Sequence, residues 1–164
     1  LDRFIHPRVE PEIAVRLSRA LAAPCDPATV QRAVAAVYPA LEVVDSRYVD
    51  YRFRPLENTA DNSSAAGYRL GPAYDPSVLS HLPGLTVHLV RNEQPIDAGT
   101  LATLEQDPLA LVCWLVAQLA RRAAALPADA IVLTGGLTRA HPAHRGDRFR
   151  ADFGPLGAVE LTFA

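Results

Sequence analysis

The spacing of apolar and polar positions changes period several times along this chain, and each change predicts an element. Ile13, Val15 and Leu17 alternate with Ala14, Arg16 and Ser18, the period of a half-buried strand. Pro7 and Pro11 push the residues before them out of the helical region, which favours a strand over 9–17. A second reading stays open: Pro11 could open a helix with Ile13, Leu17 and Leu21 as its buried stripe. Asp26-Pro27 joins a capping side chain to a proline at the first helical position, and Val30, Val34 and Val37 then predict a helix that Pro39 ends. Residues 41–45 read as a short apolar strand. Val49, Tyr51 and Phe53 alternate with Asp50, Arg52 and Arg54, predicting a strand with one polar face, and 55–67 reads as a polar loop.

The second half repeats these signals. Leu85, Val87 and Leu89 mark a strand over 85–91, Asn92-Glu93 its turn, and a return strand runs through Ile96. Asp107-Pro108 starts the longest helix, with Leu109, Val112, Val116, Leu119 and Ala123 as its buried face, Trp114 packing, and Arg121-Arg122 suiting the negative end of its dipole. A strand over 130–133 runs into Thr134-Gly135-Gly136-Leu137-Thr138, and strands over 148–153 and 158–163 form a closing hairpin. Two main helices among many strands predict a mixed α+β fold.

Composition narrows the function classes. The chain has 164 residues, 49% of them apolar, enough for one domain over 1–164 with a substantial core. No apolar run approaches the roughly 20 residues of a membrane-spanning helix. No signal-peptide pattern is visible, so no membrane partner and a cytoplasmic location are expected. A net charge of −2 gives no electrostatic case for nucleic acid. All 16 basic residues are Arg and none is Lys. Cys25 and Cys113 form no metal motif, and Cys113, in an apolar helix, reads as core. There is no Gly-x-Ser-x-Gly elbow, P-loop, dinucleotide-binding glycine fingerprint or His-Glu-x-x-His. His141 and His144 lack a nearby third ligand for zinc.

The candidate chemistry lies in carboxylates. On a strand, Glu10 and Glu12 point the same way. Two ionised carboxylates about 6–7 Å apart repel by roughly 2–3 kcal/mol at an effective dielectric near 20, so such a pair needs a reason. A divalent cation is one, and a third carboxylate would complete an all-oxygen site suited to Mg²⁺ or Mn²⁺. Glu42, within the apolar stretch 41–45, is either that ligand or a buried liability. His6 lies beside the pair and could orient a ligand or act as an acid or base.

Three stretches carry a resemblance: His6-Pro7-Arg8-Val9-Glu10-Pro11-Glu12-Ile13-Ala14, Ala40-Leu41-Glu42-Val43-Val44-Asp45-Ser46-Arg47-Tyr48, and Ala60-Asp61-Asn62-Ser63-Ser64. With Asp107-Pro108, the 132–138 run, Gly146-Asp147 and the 156–159 run, the chain resembles the 2-keto-4-pentenoate hydratase / 4-oxalocrotonate decarboxylase family of the fumarylacetoacetate hydrolase superfamily. The resemblance implies that superfamily's mostly antiparallel β-sheet roll, with Glu10, Glu12 and Glu42 binding the metal. It implies a small 2-oxo acid as substrate, held by the metal through its carboxylate and C2 oxygen, and a lyase reaction through an enolate. It places Asp61, Asn62 and Ser63 at the mouth of the site, with an Asx or Ser turn as the alternative reading, and Gly136 and Thr138 beside the substrate carboxylate. Arg47 and Arg52 are candidates for a second substrate carboxylate, which would favour decarboxylation over hydration. Family members usually self-associate, so a homo-oligomer is expected, with 49–54 as a possible contact. The family also carries a segment ahead of the glutamate pair, with a lid and a functional lysine. The chain starts at Leu1 and has no Lys, so it is expected to lack that segment, and a non-catalytic or partner-dependent member is the alternative.

Overall fold

The computed structural model describes residues 2–103 and 107–164; Leu1 and 104–106 lie outside the described residues. Strand β1 (Arg8–Leu17) pairs antiparallel along its whole length with β2 (Val34–Val44). β3 (Ala65–Leu70) extends the sheet beyond β2, while β6 (Ile131–Leu133) and the two-residue β7 (His141–Pro142) lie along the other edge of β1. A second antiparallel sheet has the order β5-β4-β8-β9, built from β4 (Thr86–Arg91), β5 (Gln94–Thr100), β8 (Arg148–Asp152) and β9 (Ala158–Thr162). Three helices complete the fold: α1 (Pro27–Ala33), α2 (Pro55–Ala60) and α3 (Pro108–Ala120). The architecture is the expected α+β roll.

Alternation along β1 divides its side chains cleanly. Val9, Ile13, Val15 and Leu17 are fully buried, and their partners Val43, Pro39, Val37 and Val34 face the same core. That core continues into Val87 and Leu89 of β4, Phe149 and Ala151 of β8, and Val112 and Val116 of α3. The even positions, Arg8, Glu10 and Glu12, lie on the opposite face. Pro11 and Pro39 fit inside paired strands because their carbonyls point away from the β1–β2 ladder. The Pro11 carbonyl accepts from Leu137 N–H at 2.8 Å and the Pro39 carbonyl from Gly71 N–H at 2.8 Å. A residue's N–H and C=O share one side of a strand, so neither missing N–H removes a ladder bond.

Asp26 and Asp107 cap α1 and α3 as expected, accepting from Thr29 N–H at 2.6 Å and Leu109 N–H at 2.9 Å. Asn92 and Glu93 form the β4–β5 turn with φ of 51° and 66°, the left-handed pair of a tight hairpin. Several expectations are corrected. α1 ends at Ala33, and Val34, Val37 and Pro39 belong to β2: pairing with β1 along the whole strand outweighs the local helical period. Residues 49–53 are not a strand; Val49–Tyr51 is a single turn with Asp50 at φ 54° and Tyr51 at 58°, which removes a flat strand as an oligomer contact. Within 55–67 lies the short helix α2. Trp114 is 62% exposed rather than packed. Cys113 is half-buried and lies against Cys25; burial, then that neighbour, push its thiol up to about 11.

Gly99 of β5 lets the second sheet approach the turn after β6. A Cβ there would overlap the Leu137 carbonyl oxygen and lie 2.8 Å from its carbon. Gly99→Ala is therefore expected to destabilise the fold by about 1–3 kcal/mol through overpacking, measured as a lowered midpoint in urea.

Candidate metal centre

Glu10 sits directly opposite Glu42 in the β1–β2 pair, and Glu12 is one pleat further along the same face. Each carboxylate contributes an oxygen within 4.8 Å of the other two, the only cluster of three metal-ligating side chains among the described residues. Backbone pairing alone brings them together. At about 2.1 Å from a shared Mg²⁺, two oxygens can be no more than about 4.2 Å apart, so a small adjustment of side-chain torsions closes the site. An all-carboxylate donor set suits a hard divalent cation. Glu12 is 1% exposed, Glu10 and Glu42 half-buried.

The electrostatics show what the arrangement costs. Burial, then the Glu42 charge, raise Glu10 to about 7. Burial, then the charge of Glu42 and a hydrogen bond with it, raise Glu12 to about 9, while Gly135 N–H pulls it back. Burial also raises Glu42, opposed by that hydrogen bond. Without a cation, protonated Glu12 donates to Glu42, and one proton does part of the neutralising that a metal would do.

The turn after β6 fits around this group. Thr134 N–H and Oγ1 both donate to the Ile13 carbonyl, at 3.1 and 2.9 Å. Gly135 N–H donates to Glu12 Oε2 at 2.9 Å. A Cβ on Gly136 would overlap Glu10 Oε2 and lie 3.1 Å from its Cδ, so glycine is what admits the carboxylate. Thr138 is turned otherwise: its hydroxyl donates to the Arg139 carbonyl and its methyl faces β5.

Asp61 is 3% exposed and joins two loops at the mouth. It accepts from Ser46 Oγ and Arg47 N–H, both at 3.1 Å, and from Ser64 Oγ at 3.3 Å, and its Oδ1 pairs with the Arg47 guanidinium. Burial raises this carboxyl, and the bonds from Arg47 and Ser46 outweigh it, holding it below the usual range. Arg47 is thus committed to Asp61, and Arg52, exposed, lies 3.7 Å from Asp50. Asn62 and Ser63 are exposed at φ 54° and 53° on the turn that Asp61 anchors. His6 Nε2 donates to the Ser46 carbonyl at 2.8 Å, and its ring stacks on Tyr51 at 4.9 Å, so it latches the chain entering β1 to the chain leaving β2. Three residues on or beside the carboxylate face went unassigned in the sequence: Arg8 by its period-two spacing from Glu10, Tyr68 by its place opposite Glu42, and Tyr51, whose alternation pointed to a strand.

These features define a class of site: a three-carboxylate cluster whose geometry could hold a divalent cation, set on one face of a curled antiparallel sheet. No family model matches the chain. It is 34% identical over 163 residues to a 4-oxalocrotonate decarboxylase of Pseudomonas putida, covering 99% of the chain and 62% of that protein. It is 35% identical over 170 residues to a 2-oxo-hept-4-ene-1,7-dioate hydratase of Escherichia coli, covering 99% of the chain and 63% of that protein. A solved structure of 4-oxalocrotonate decarboxylase from Pseudomonas putida G7, complexed with magnesium and adipate, superposes with a TM-score of 0.92 at 33% identity, covering 99% of this chain and 62% of that one. Over nearly its whole length the chain is therefore similar to 4-oxalocrotonate decarboxylases and to 2-keto-4-pentenoate-type hydratases. It spans about 62% of the length of these relatives. Their names are those of enzymes.

In the metal-free protein Glu10 and Glu12 hold protons more tightly folded than unfolded, where such groups titrate near 4.5. The folded state carries the extra protons, so its stability falls as pH rises from about 4.5 toward 9. Thermal melts in chelator across that window should show the fall, and Glu12→Gln should flatten it.

Proposed function

We propose that this chain is the metal-binding core of a divalent-metal-dependent lyase acting on a 2-oxo or 2-hydroxydienoate acid, as a 4-oxalocrotonate-type decarboxylase or a 2-keto-4-pentenoate-type hydratase. The observation that carries the reading is the convergence of Glu10, Glu12 and Glu42 within 4.8 Å. Those three residues would hold the cation, Mg²⁺ or Mn²⁺, and the magnesium in the related decarboxylase supports an ion of this kind. When bound, the cation supplies Lewis-acid stabilisation of the negative charge that builds on the substrate's C2 oxygen.

The chain's own residues do the rest. Gly135 N–H holds the Glu12 carboxylate in one orientation, and the bare backbone of Gly136 leaves the Glu10 carboxylate free to turn inward. Glu10, Glu12 and Glu42 would hold the cation in their deprotonated forms, so binding would release the protons that the cluster retains without it. Asp61, through Ser46, Arg47 and Ser64, fixes the turn on which Asn62 and Ser63 are exposed. Those two polar side chains are the proposed contacts to the substrate's conjugated chain. Decarboxylation and hydration share this arrangement and differ in what leaves or adds further along that chain.

Mg²⁺ should raise the melting temperature of the chain, and Glu12→Gln should abolish the gain; an unchanged melt in Mg²⁺ and in Mn²⁺ would contradict the reading. With metal, consumption of 4-oxalocrotonate with release of CO₂, or hydration of 2-hydroxyhexa-2,4-dienoate, followed by loss of ultraviolet absorbance, separates the two activities.

A further inference from the structure

We infer that Tyr68 is a specificity-determining residue of this centre: its ring is the flat face on which the substrate's conjugated chain lies, so that the site selects planar 2-oxo acids over saturated ones. The inference rests on the function proposed above and adds to it a residue and a substrate shape. Tyr68 is the register partner of Glu42 in the β2–β3 pair, as Glu10 is in the β1–β2 pair. Residues directly opposite on adjacent strands share a face, so Glu10, Glu42 and Tyr68 form one row across the sheet, with strands about 4.8 Å apart. β3 is an edge strand, and Tyr68 is 55% exposed on it. Each of the other tyrosines has a structural task. Tyr38 accepts from Arg16, Tyr48 packs edge-on against Phe53, Tyr51 bonds two carbonyls and Tyr74 packs against the core. Among the described residues the Tyr68 side chain makes no hydrogen bond and no aromatic contact.

The rest of the site leaves this direction open. The Thr134–Gly136 turn closes the far side of β1, where Gly135 N–H holds Glu12 and a Cβ on Gly136 would overlap Glu10 Oε2. Toward the start of β1, Arg8 lies over the Tyr51 ring. Across β2, by contrast, come Tyr68 and the exposed Asn62 and Ser63, on the turn that leads directly into β3. The neighbours of Tyr68 along that face of β3 are Ala66, small and exposed, and Leu70, so its ring is not crowded. A substrate whose carboxylate and C2 oxygen meet the cation therefore runs its chain over Tyr68. Shape and chemistry agree there. Charge building on the C2 oxygen spreads along the chain only while the chain is planar, and a planar π system packs on an aromatic face in an offset stack. Stacking on Tyr68 holds the chain in that plane, the conformation from which it reacts.

The test uses the chain loaded with Mn²⁺ and two 2-oxo acids of one carbon skeleton, phenylglyoxylate and cyclohexylglyoxylate, titrated calorimetrically. The cyclohexyl ring carries the larger apolar surface, so burial alone favours it, and a preference for the phenyl ring reports a flat face. The unaltered protein should bind phenylglyoxylate about 2- to 10-fold more tightly, as expected for one aromatic stack. Tyr68→Phe should keep that preference, because the face remains. Tyr68→Leu should abolish it, while both variants bind Mn²⁺ as the unaltered chain does. Equal binding of the two ligands by the unaltered protein overturns the inference without any variant. A preference that survives in Tyr68→Leu overturns it too, as does loss of Mn²⁺ binding in a folded Tyr68→Leu protein, because Tyr68 would then serve the carboxylates. Failure of the unaltered chain to bind Mn²⁺ instead removes the proposed function, and this inference with it.

Discussion

Three carboxylates are held closer together than their charges allow, and the β1–β2 ladder holds them there. Two ionised carboxylates 4.8 Å apart repel by roughly 3.5 kcal/mol at an effective dielectric near 20. Rotamer changes cannot relieve this fully, because Glu10 and Glu42 are register partners and Glu12 is buried. The metal-free molecule answers with protons, which is why Glu10 and Glu12 titrate far above ordinary carboxyls. A divalent cation answers the same repulsion more completely.

The surroundings follow from that constraint. The odd positions of β1 anchor it in a core shared by both sheets, so the even positions have little freedom to retreat. The Thr134–Gly136 turn is tied to Ile13, Glu12 and Glu10, and β5 closes over its far side where Gly99 permits. Around the mouth, Asp50, Tyr51, Asn62, Ser63 and Ser64 all have positive φ. Such non-glycine residues cost on the order of 1 kcal/mol or more each, and they persist because Asp61, the His6–Tyr51 stack and the Tyr51 hydroxyl contacts over-determine them.

Much of this could be read from residues alone, and the failures have physical causes. Period-two spacing and two prolines pointed to β1, and both aspartate caps and the Asn92-Glu93 turn follow from local chemistry that tertiary contacts do not override. The α1–β2 junction misled because Val30, Val34 and Val37 satisfy a helical stripe, while the odd positions from Val37 to Val43 equally satisfy a buried strand; only the partner strand decides. The alternation over 49–53 lacked any partner, so Tyr51 turned inward instead. Asp61 looked like a residue of the mouth, yet its burial makes it the hub of two loops. Arg8 was visible by the same spacing that singled out Glu10 and Glu12, but a lone arginine beside them carries no signal until its place over the Tyr51 ring is seen.

The most direct test of the central claim is crystallography of the chain soaked in Mn²⁺, with anomalous scattering to locate the ion. The account predicts one peak bonded by oxygens of Glu10, Glu12 and Glu42, with the Glu12–Glu42 hydrogen bond broken. A peak elsewhere, or three carboxylates still sharing their proton in saturating Mn²⁺, would contradict it.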